Sequence, residues 1–182
     1  PPAADAPLWF FFTLQELESH IGQKELWAKY GEAMKGVIAA YRRGFGDEVN
    51  MHDNGLIWAS AERPLTWMGT MIDGQPLTPR RGYPVELQAL WYNAVEYTLA
   101  VAKKQGDKEF VKEWKELPKR IKESFIAKFW LEEEGYLADY VNYDEVNKFI
   151  RHIDEVKFVL SDEADYRFAL DKIRQFHLAD QT

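Results

Sequence analysis

The side chains best suited to chemistry lie in one polar, turn-rich stretch, residues 65–93. Arg80 stands between two prolines that restrict the backbone, so a stiff loop can hold its guanidinium in one direction. A helix is predicted to begin just after Pro84, which suits a proline in the first turn. Glu86 and Asn93 then share one helical face, since residues three or four apart lie on the same side. A carboxylate and a carboxamide on an otherwise apolar face usually look into a cavity.

The same residues are also compatible with a purely structural role. Arg80 and Glu86 can pair to anchor the loop to the helix, with Trp67 and Trp91 as packing. Asp73, followed by glycine, suits the positive dihedral angles of a tight turn. Residue types and spacing leave the structural and the ligand-binding interpretations open.

Composition and charge exclude several classes of function. The chain has 182 residues, 46% of them apolar and 15% aromatic, which is typical of one globular domain. A net charge of −7 without a basic stripe argues against nucleic acid as a partner. Cysteine is absent and the four histidines have no ligand spacing, so we expect neither metal nor organic cofactor.

The sequence gives no sign of membrane insertion or secretion. No apolar run approaches the roughly twenty residues needed to cross a bilayer. The chain does not begin with a basic segment followed by an apolar one, as a signal peptide does. We therefore expect a cytoplasmic protein with no membrane partner.

The first part of the chain is predicted to form a helical hairpin. Apolar residues from Leu8 to Ile21 fit a helix that ends at Gly22, and Asp5, two residues before Pro7, can cap it. A second helix is predicted over residues 24–43. The connection between the two helices is so short that they must run antiparallel.

Two irregular excursions interrupt the later helices. Residues 47–60 predict a β-ribbon turning at Asn54-Gly55, where His52 and Asp53 are better explained as turn formers than as catalysts. Residues 131–142 form the second excursion.

Two helices are predicted before that second excursion. One spans residues 84–104, and the other spans 108–130, with Asp107 as its cap and Pro118 as a kink or boundary. Asp144 can cap a final helical region, which restarts at Ser161. Excursions that follow the second helix of each pair lie at one end of the stack, as in part of an (α/α) toroid.

Several motifs resemble the amylo-α-1,6-glucosidase domain of glycogen debranching enzymes. The family segments are DAxLWFF, TWMDA, TPR, GxPVExxALWYN and GYLxD. The matching stretches are residues 5–11, 65–68, 78–80, 82–93 and 135–139. The resemblance is strongest over residues 5–12 and 50–151 and fades after 151.

This resemblance implies a mainly α fold, in which residues 1–182 are a single domain covering about half of a six-hairpin (α/α) toroid. It also implies hydrolysis of α-1,6-linked glucosyl branch residues in glycogen-like α-glucan, with α-glucan or malto-oligosaccharide as partner. Self-association is expected to cover the exposed barrel edges. The substrate-binding residues implied are Asp5, Trp67, Asp73, Arg80, Glu86, Trp91 and Asn93.

Departures from the family pattern leave the catalytic residues unassigned. Gly69 stands where the family has the aspartate proposed as general acid, and Asp73, four residues on, need not reach the same point. The later segment with the family's general base is not found. Inverting hydrolysis needs two carboxyl groups about 6.5 to 9.5 Å apart, so we expect weak or absent activity.

Two alternatives remain open. One is an active hydrolase that recruits Glu86 or Asp73, or that completes a barrel from two copies. The other is a non-catalytic helical carbohydrate-binding or scaffold protein.

Overall fold

The computed structural model describes residues 3–78, 80–142 and 146–147. These residues belong to one compact unit, Pro1–Asn147. The cap at Asp144 and the predicted helices after it lie outside the described residues. No helix within the described ranges is both long and apolar enough to cross a membrane.

The predicted N-terminal hairpin is confirmed. Helix α1 spans Ala6–Ile21 and α2 spans Gln23–Arg43, joined at Gly22, whose φ of 78° allows the sharp reversal. The two helices run antiparallel. Tyr41, near the end of α2, donates a hydrogen bond of 2.5 Å to the carbonyl of Ala4, just before the start of α1.

Three further helices follow the first excursion. Helix α3 spans Val85–Gln105, α4 spans Lys108–Trp114 and α5 spans Leu117–Phe129. Asp107 caps α4 by accepting from the amide of Phe110 at 3.0 Å, as expected. The single helix predicted over 108–130 is two helices, and Pro118 in the first turn of α5 marks the predicted boundary.

Helices α1 and α3 pack side by side in the same direction through a row of polar contacts. The amides of Gln15 and Asn93 exchange two hydrogen bonds of 3.1 Å. Further along both helices, the Tyr97 hydroxyl donates to Glu18 at 2.7 Å. The contacts advance together along the two helices, so α1 and α3 begin at the same end of the molecule.

Nine short strands connect or follow the helices within the described residues. Strands β1 and β2 form the ribbon predicted around Asn54-Gly55, and β3 pairs with β4 across the turn predicted at Asp73-Gly74. Their bounds are Val49–Met51 (β1), Ile57–Ala59 (β2), Met71–Ile72 (β3), Gln75–Pro76 (β4), Tyr83–Pro84 (β5), Trp130–Leu131 (β6), Tyr136–Leu137 (β7), Tyr140–Val141 (β8) and Val146–Asn147 (β9).

The two excursions meet at the start of α3. Ala59, near the end of the first excursion, bridges to Gly82, and strand β5, which follows Gly82, pairs with β8 of the second excursion. The amide of Val85 also donates to the carbonyl of Asp139, at 2.9 Å. Gly82 permits this approach, because its φ is 133° and a Cβ there would collide with the carbonyl of Val141. The expectation that the excursions lie at one end is thus confirmed for the two that the structure describes.

The core lies between the helices and the β1–β2 ribbon. Trp91 on α3 is fully buried, and its indole N–H donates to the carbonyl of Gly55 at 3.0 Å. Buried Gln88 bonds both the amide and the carbonyl of Ile57, at 2.7 and 2.8 Å, so both main-chain polar groups of this residue are satisfied. The described part is mainly α, made of consecutive αα-hairpins, and is consistent with part of a helical toroid.

Candidate functional site

The candidate site lies where α1 and α3 begin and where the two excursions meet. Asp5 directly precedes α1, and Glu86 is in the first turn of α3. The loop before β5 supplies Trp67 and Arg80, and the segment between β7 and β8 supplies Asp139. Helix N-termini carry partial positive charge, so this end favours carboxylates.

Arg80 is the centre of the site. Its Nη1 and Nη2 donate to the two carboxylate oxygens of Glu86 at 2.5 and 2.6 Å. Its Nε and Nη2 donate to the two carboxylate oxygens of Asp139 at 2.8 and 3.0 Å. A third bond joins Nη2 to the Asp139 carbonyl at 3.0 Å. One guanidinium thereby fixes the loop, the start of α3 and the second excursion.

Burial and charge act in opposite directions at this cluster. Burial alone lowers the pKa of Arg80, but the carboxylates of Glu86 and Asp139 outweigh it, so the pKa is raised and Arg80 stays charged. Burial raises the pKa of Asp139, and the charge of Glu86 adds to the shift. The guanidinium of Arg80 opposes that shift without cancelling it.

Asp5 is a buried carboxyl beside this cluster, with 5% of its surface exposed. The capping role considered for it is not observed, because its side chain makes no cap hydrogen bond to α1. Hydrogen bonds from the Trp9 side chain and the Trp67 amide favour its charged form. Burial, together with the charge of Glu86, outweighs these bonds and raises the pKa of Asp5.

Two tryptophans beside Asp5 expose their rings. Trp67 is 46% exposed and Trp9 is 48% exposed. The loop that carries Trp67 is fastened to the start of the chain by a bond from the Ala4 amide to the Leu65 carbonyl, 2.5 Å long. Exposed aromatic faces of this kind can stack on an apolar ligand surface.

Three of the residues expected at the site lie apart from the Arg80 cluster. Trp91 is wholly buried and packs in the core, and its expected contact with substrate stays a prediction. Asn93 is held by Gln15 in the seam between α1 and α3. Asp73 has a φ of 49° and lies exposed in the β3–β4 turn, as a turn former.

Position 69 is open and carries no functional group. Gly69 is exposed, and a Cβ built there would meet nothing closer than the Trp67 carbonyl at 3.9 Å. The fold would therefore accommodate a side chain that the sequence does not supply. Among the described residues, no group of three or more histidine, aspartate or glutamate side chains could hold a metal ion.

The site residue that sequence reasoning missed is Asp139. It is 59 residues from its partner Arg80, so neither spacing nor helical periodicity connects the two. The signal available was the GYLxD resemblance, whose last residue is Asp139.

Comparisons with known proteins agree with the sequence motifs. Residues 2–164 match the family model described as amylo-alpha-1,6-glucosidase. No curated protein and no solved structure gives a match. The family model spans most of the chain, including every residue of the Arg80 cluster. The chain belongs to the amylo-alpha-1,6-glucosidase family.

Proposed function

We propose that the surface around Arg80 binds α-glucan as the substrate-binding part of an amylo-α-1,6-glucosidase, recognising a glucosyl branch residue. The observation that carries the proposal is the meeting of Glu86, Asp139 and Asp5 near Trp67, whose amide bonds Asp5 and whose side chain is exposed, within the stretch that matches the family. Carboxylate oxygens accept bonds from sugar hydroxyls, and an aromatic ring packs on the apolar face of a sugar.

Turnover by this chain is proposed to be weak or absent. Gly69 cannot donate a proton to a leaving oxygen, although the backbone leaves room for a side chain there. Glu86 is poorly suited to replace a general acid, because both its oxygens already accept bonds from Arg80. Asp73 lies in an exposed turn of the β3–β4 hairpin. Glycoside hydrolysis by acid and base needs two placed carboxyl groups.

A non-catalytic helical scaffold is the second candidate. It is favoured by the burial of the Arg80 side chain, 5% exposed, and by its five hydrogen bonds to protein atoms. An arginine used in this way can serve stability alone. In that case, sugar would have no effect on the environment of Trp67.

Titration with a malto-oligosaccharide, followed by tryptophan fluorescence, distinguishes the two candidates. Saturable quenching by the wild-type protein, lost in Trp67→Ala, is expected if the surface binds α-glucan. Trp27→Phe on α2 is the matched control and should retain the quenching. Absence of any response from a folded wild-type protein would refute the proposal and leave the scaffold interpretation.

A separate assay tests turnover. The purified protein is incubated with a malto-oligosaccharide carrying one α-1,6-linked glucosyl residue, and released glucose is measured. We expect release no faster than about the uncatalysed background. Vigorous release of glucose would show that the acid and base are supplied by residues other than position 69, and would contradict the proposed low turnover.

A further inference from the structure

We propose that Asp139 contacts the sugar directly and that Arg80 is a positioning residue, which holds Asp139 and Glu86 as a pair of hydrogen-bond acceptors. This inference rests on the proposed function and revises the expected role of Arg80 within it. It also assigns the chemical class of ligand. The pair selects a neutral or amino-substituted sugar and rejects an anionic one.

Arg80 has little capacity left for a ligand. A guanidinium carries five N–H groups. Nε and Nη1 each donate to a carboxylate, and Nη2 donates to Glu86 and to two atoms of Asp139. With its side chain 5% exposed, Arg80 lies behind its partners and away from solvent.

The two carboxylates, by contrast, retain both exposure and acceptor capacity. The side chain of Glu86 is 26% exposed and that of Asp139 is 32% exposed. Each carboxylate has about four acceptor positions, and Arg80 uses about two on each. The remaining positions can accept bonds from hydroxyl groups. Because one planar guanidinium contacts both carboxylates, they are held side by side, which suits two neighbouring hydroxyls of one sugar ring.

The charges at the site point to the class of ligand. Arg80 contributes one positive charge, whereas Glu86, Asp139 and Asp5 contribute up to three negative ones. An anchoring arginine is satisfied by one carboxylate, so the additional acids require another explanation. The hydroxyls of a neutral sugar can donate hydrogen bonds to these carboxylates, and an amine can also offset their negative charge. A phosphate or a carboxylate on the ligand would be repelled by the same charge.

The first test uses the unaltered protein and three probes of matched size. These are a malto-oligosaccharide, the same compound with one hydroxyl replaced by a primary amine, and the same compound with a carboxylate instead. The amine is expected to bind most tightly and the carboxylate roughly ten-fold or more weaker than the neutral sugar. Equal or tighter binding of the carboxylate would overturn the inference, because it would indicate that the guanidinium faces the ligand.

The second test compares Asp139→Asn with a matched control. Asp139→Asn keeps the shape and removes the charge, and we expect roughly ten- to hundred-fold weaker binding of the neutral sugar. The preference for the amine should fall as well, an effect that a merely structural role would not produce. Glu113→Gln removes a carboxylate that pairs with Arg42 and should leave both affinities unchanged.

The outcomes separate the inference from the proposed function. If the wild type binds malto-oligosaccharide and folded Asp139→Asn binds it equally well, the inference fails while the proposed function stands. If the wild type binds none of the three probes, the proposed function fails and the inference with it. Should Asp139→Asn not fold, the order of the three affinities measured on the wild type still decides the inference.

Discussion

Arg80 and Asp139, 59 residues apart in the chain, are joined by three hydrogen bonds. Two reach the Asp139 carboxylate, at 2.8 and 3.0 Å, and one reaches its main-chain carbonyl, at 3.0 Å. These bonds connect the loop before β5 to the second excursion, which is distant from it in sequence. The proposed binding surface thus depends on a contact between the loop before β5 and the segment between β7 and β8.

Arg80→Met is expected to destabilise the fold by roughly 2–4 kcal/mol. The substitution leaves two partly buried carboxylates without their shared cation, and breaking a buried pair in this way is costly. Thermal and denaturant unfolding would measure the loss. Arg63→Met, which removes the exposed partner of Glu48, is the matched control and should cost about 1 kcal/mol or less. Equal effects of the two substitutions would contradict the central position of Arg80.

The stability of Asp5→Asn relative to wild type should be greater at neutral pH than at low pH. The folded-state pKa of Asp5 is raised, so the folded state binds more protons than the unfolded state just above pH 4. The contribution of Asp5 to the free energy of unfolding of the wild type therefore falls as pH rises from about 4 through the raised pKa. Asparagine does not titrate, and the difference in melting temperature between the two proteins should grow over that window. A constant difference from pH 4 to 7 would disprove the shift.

The glycines at positions 69 and 82 should respond oppositely to alanine. At Gly82 a Cβ would collide with the main chain of Val141, and the φ of 133° disfavours any side chain, so we expect a loss of several kcal/mol. At Gly69 the space is open, and Gly69→Ala should be neutral or stabilising by up to about 1 kcal/mol. Unfolding curves of both variants test this pair, and a strongly destabilised Gly69→Ala would show that the loop needs glycine.

Trp91→Phe should reduce stability and leave sugar affinity unchanged. The substitution empties part of a buried site and leaves the Gly55 carbonyl without its donor, at a cost of roughly 2–4 kcal/mol. Trp67→Ala should weaken sugar binding and leave stability nearly unchanged, because Trp67 is half exposed. Melting temperatures and malto-oligosaccharide affinities of both variants provide the measurement. Weaker sugar binding by folded Trp91→Phe would return Trp91 to the site.

Local signals predicted most of the helices and the first ribbon in the part of the chain that the structure describes. Apolar periodicity and the glycines that follow the helices predicted the bounds of α1, α2 and α3 to within about two residues, and Asn54-Gly55 located the β1–β2 turn. These features are encoded by neighbours in sequence. The sequence also indicated a kink or a boundary at Pro118, but not that α4 would end at Trp114.

Long-range pairing was what the sequence could not show. Nothing in the residue pattern indicated that β5 would pair with β8 or that Asp139 would share Arg80 with Glu86. Helical periodicity placed Glu86 and Asn93 on one face, but it did not indicate that Asn93 would face α1 and pair with Gln15. The resemblance implied that Trp91 contacts substrate, and residue type alone left packing open as well, because aromatic residues serve equally in cores and at binding surfaces. Burial decides between these roles, and burial depends on the whole fold.

The most direct test of the central claim is a crystal structure of the protein with a malto-oligosaccharide that carries one α-1,6-linked glucosyl residue. The account predicts a sugar ring against Trp67, with its hydroxyls within about 3.2 Å of the carboxylate oxygens of Glu86 and Asp139. Sugar bound at another surface, with this cluster still facing solvent at saturating ligand, would contradict it.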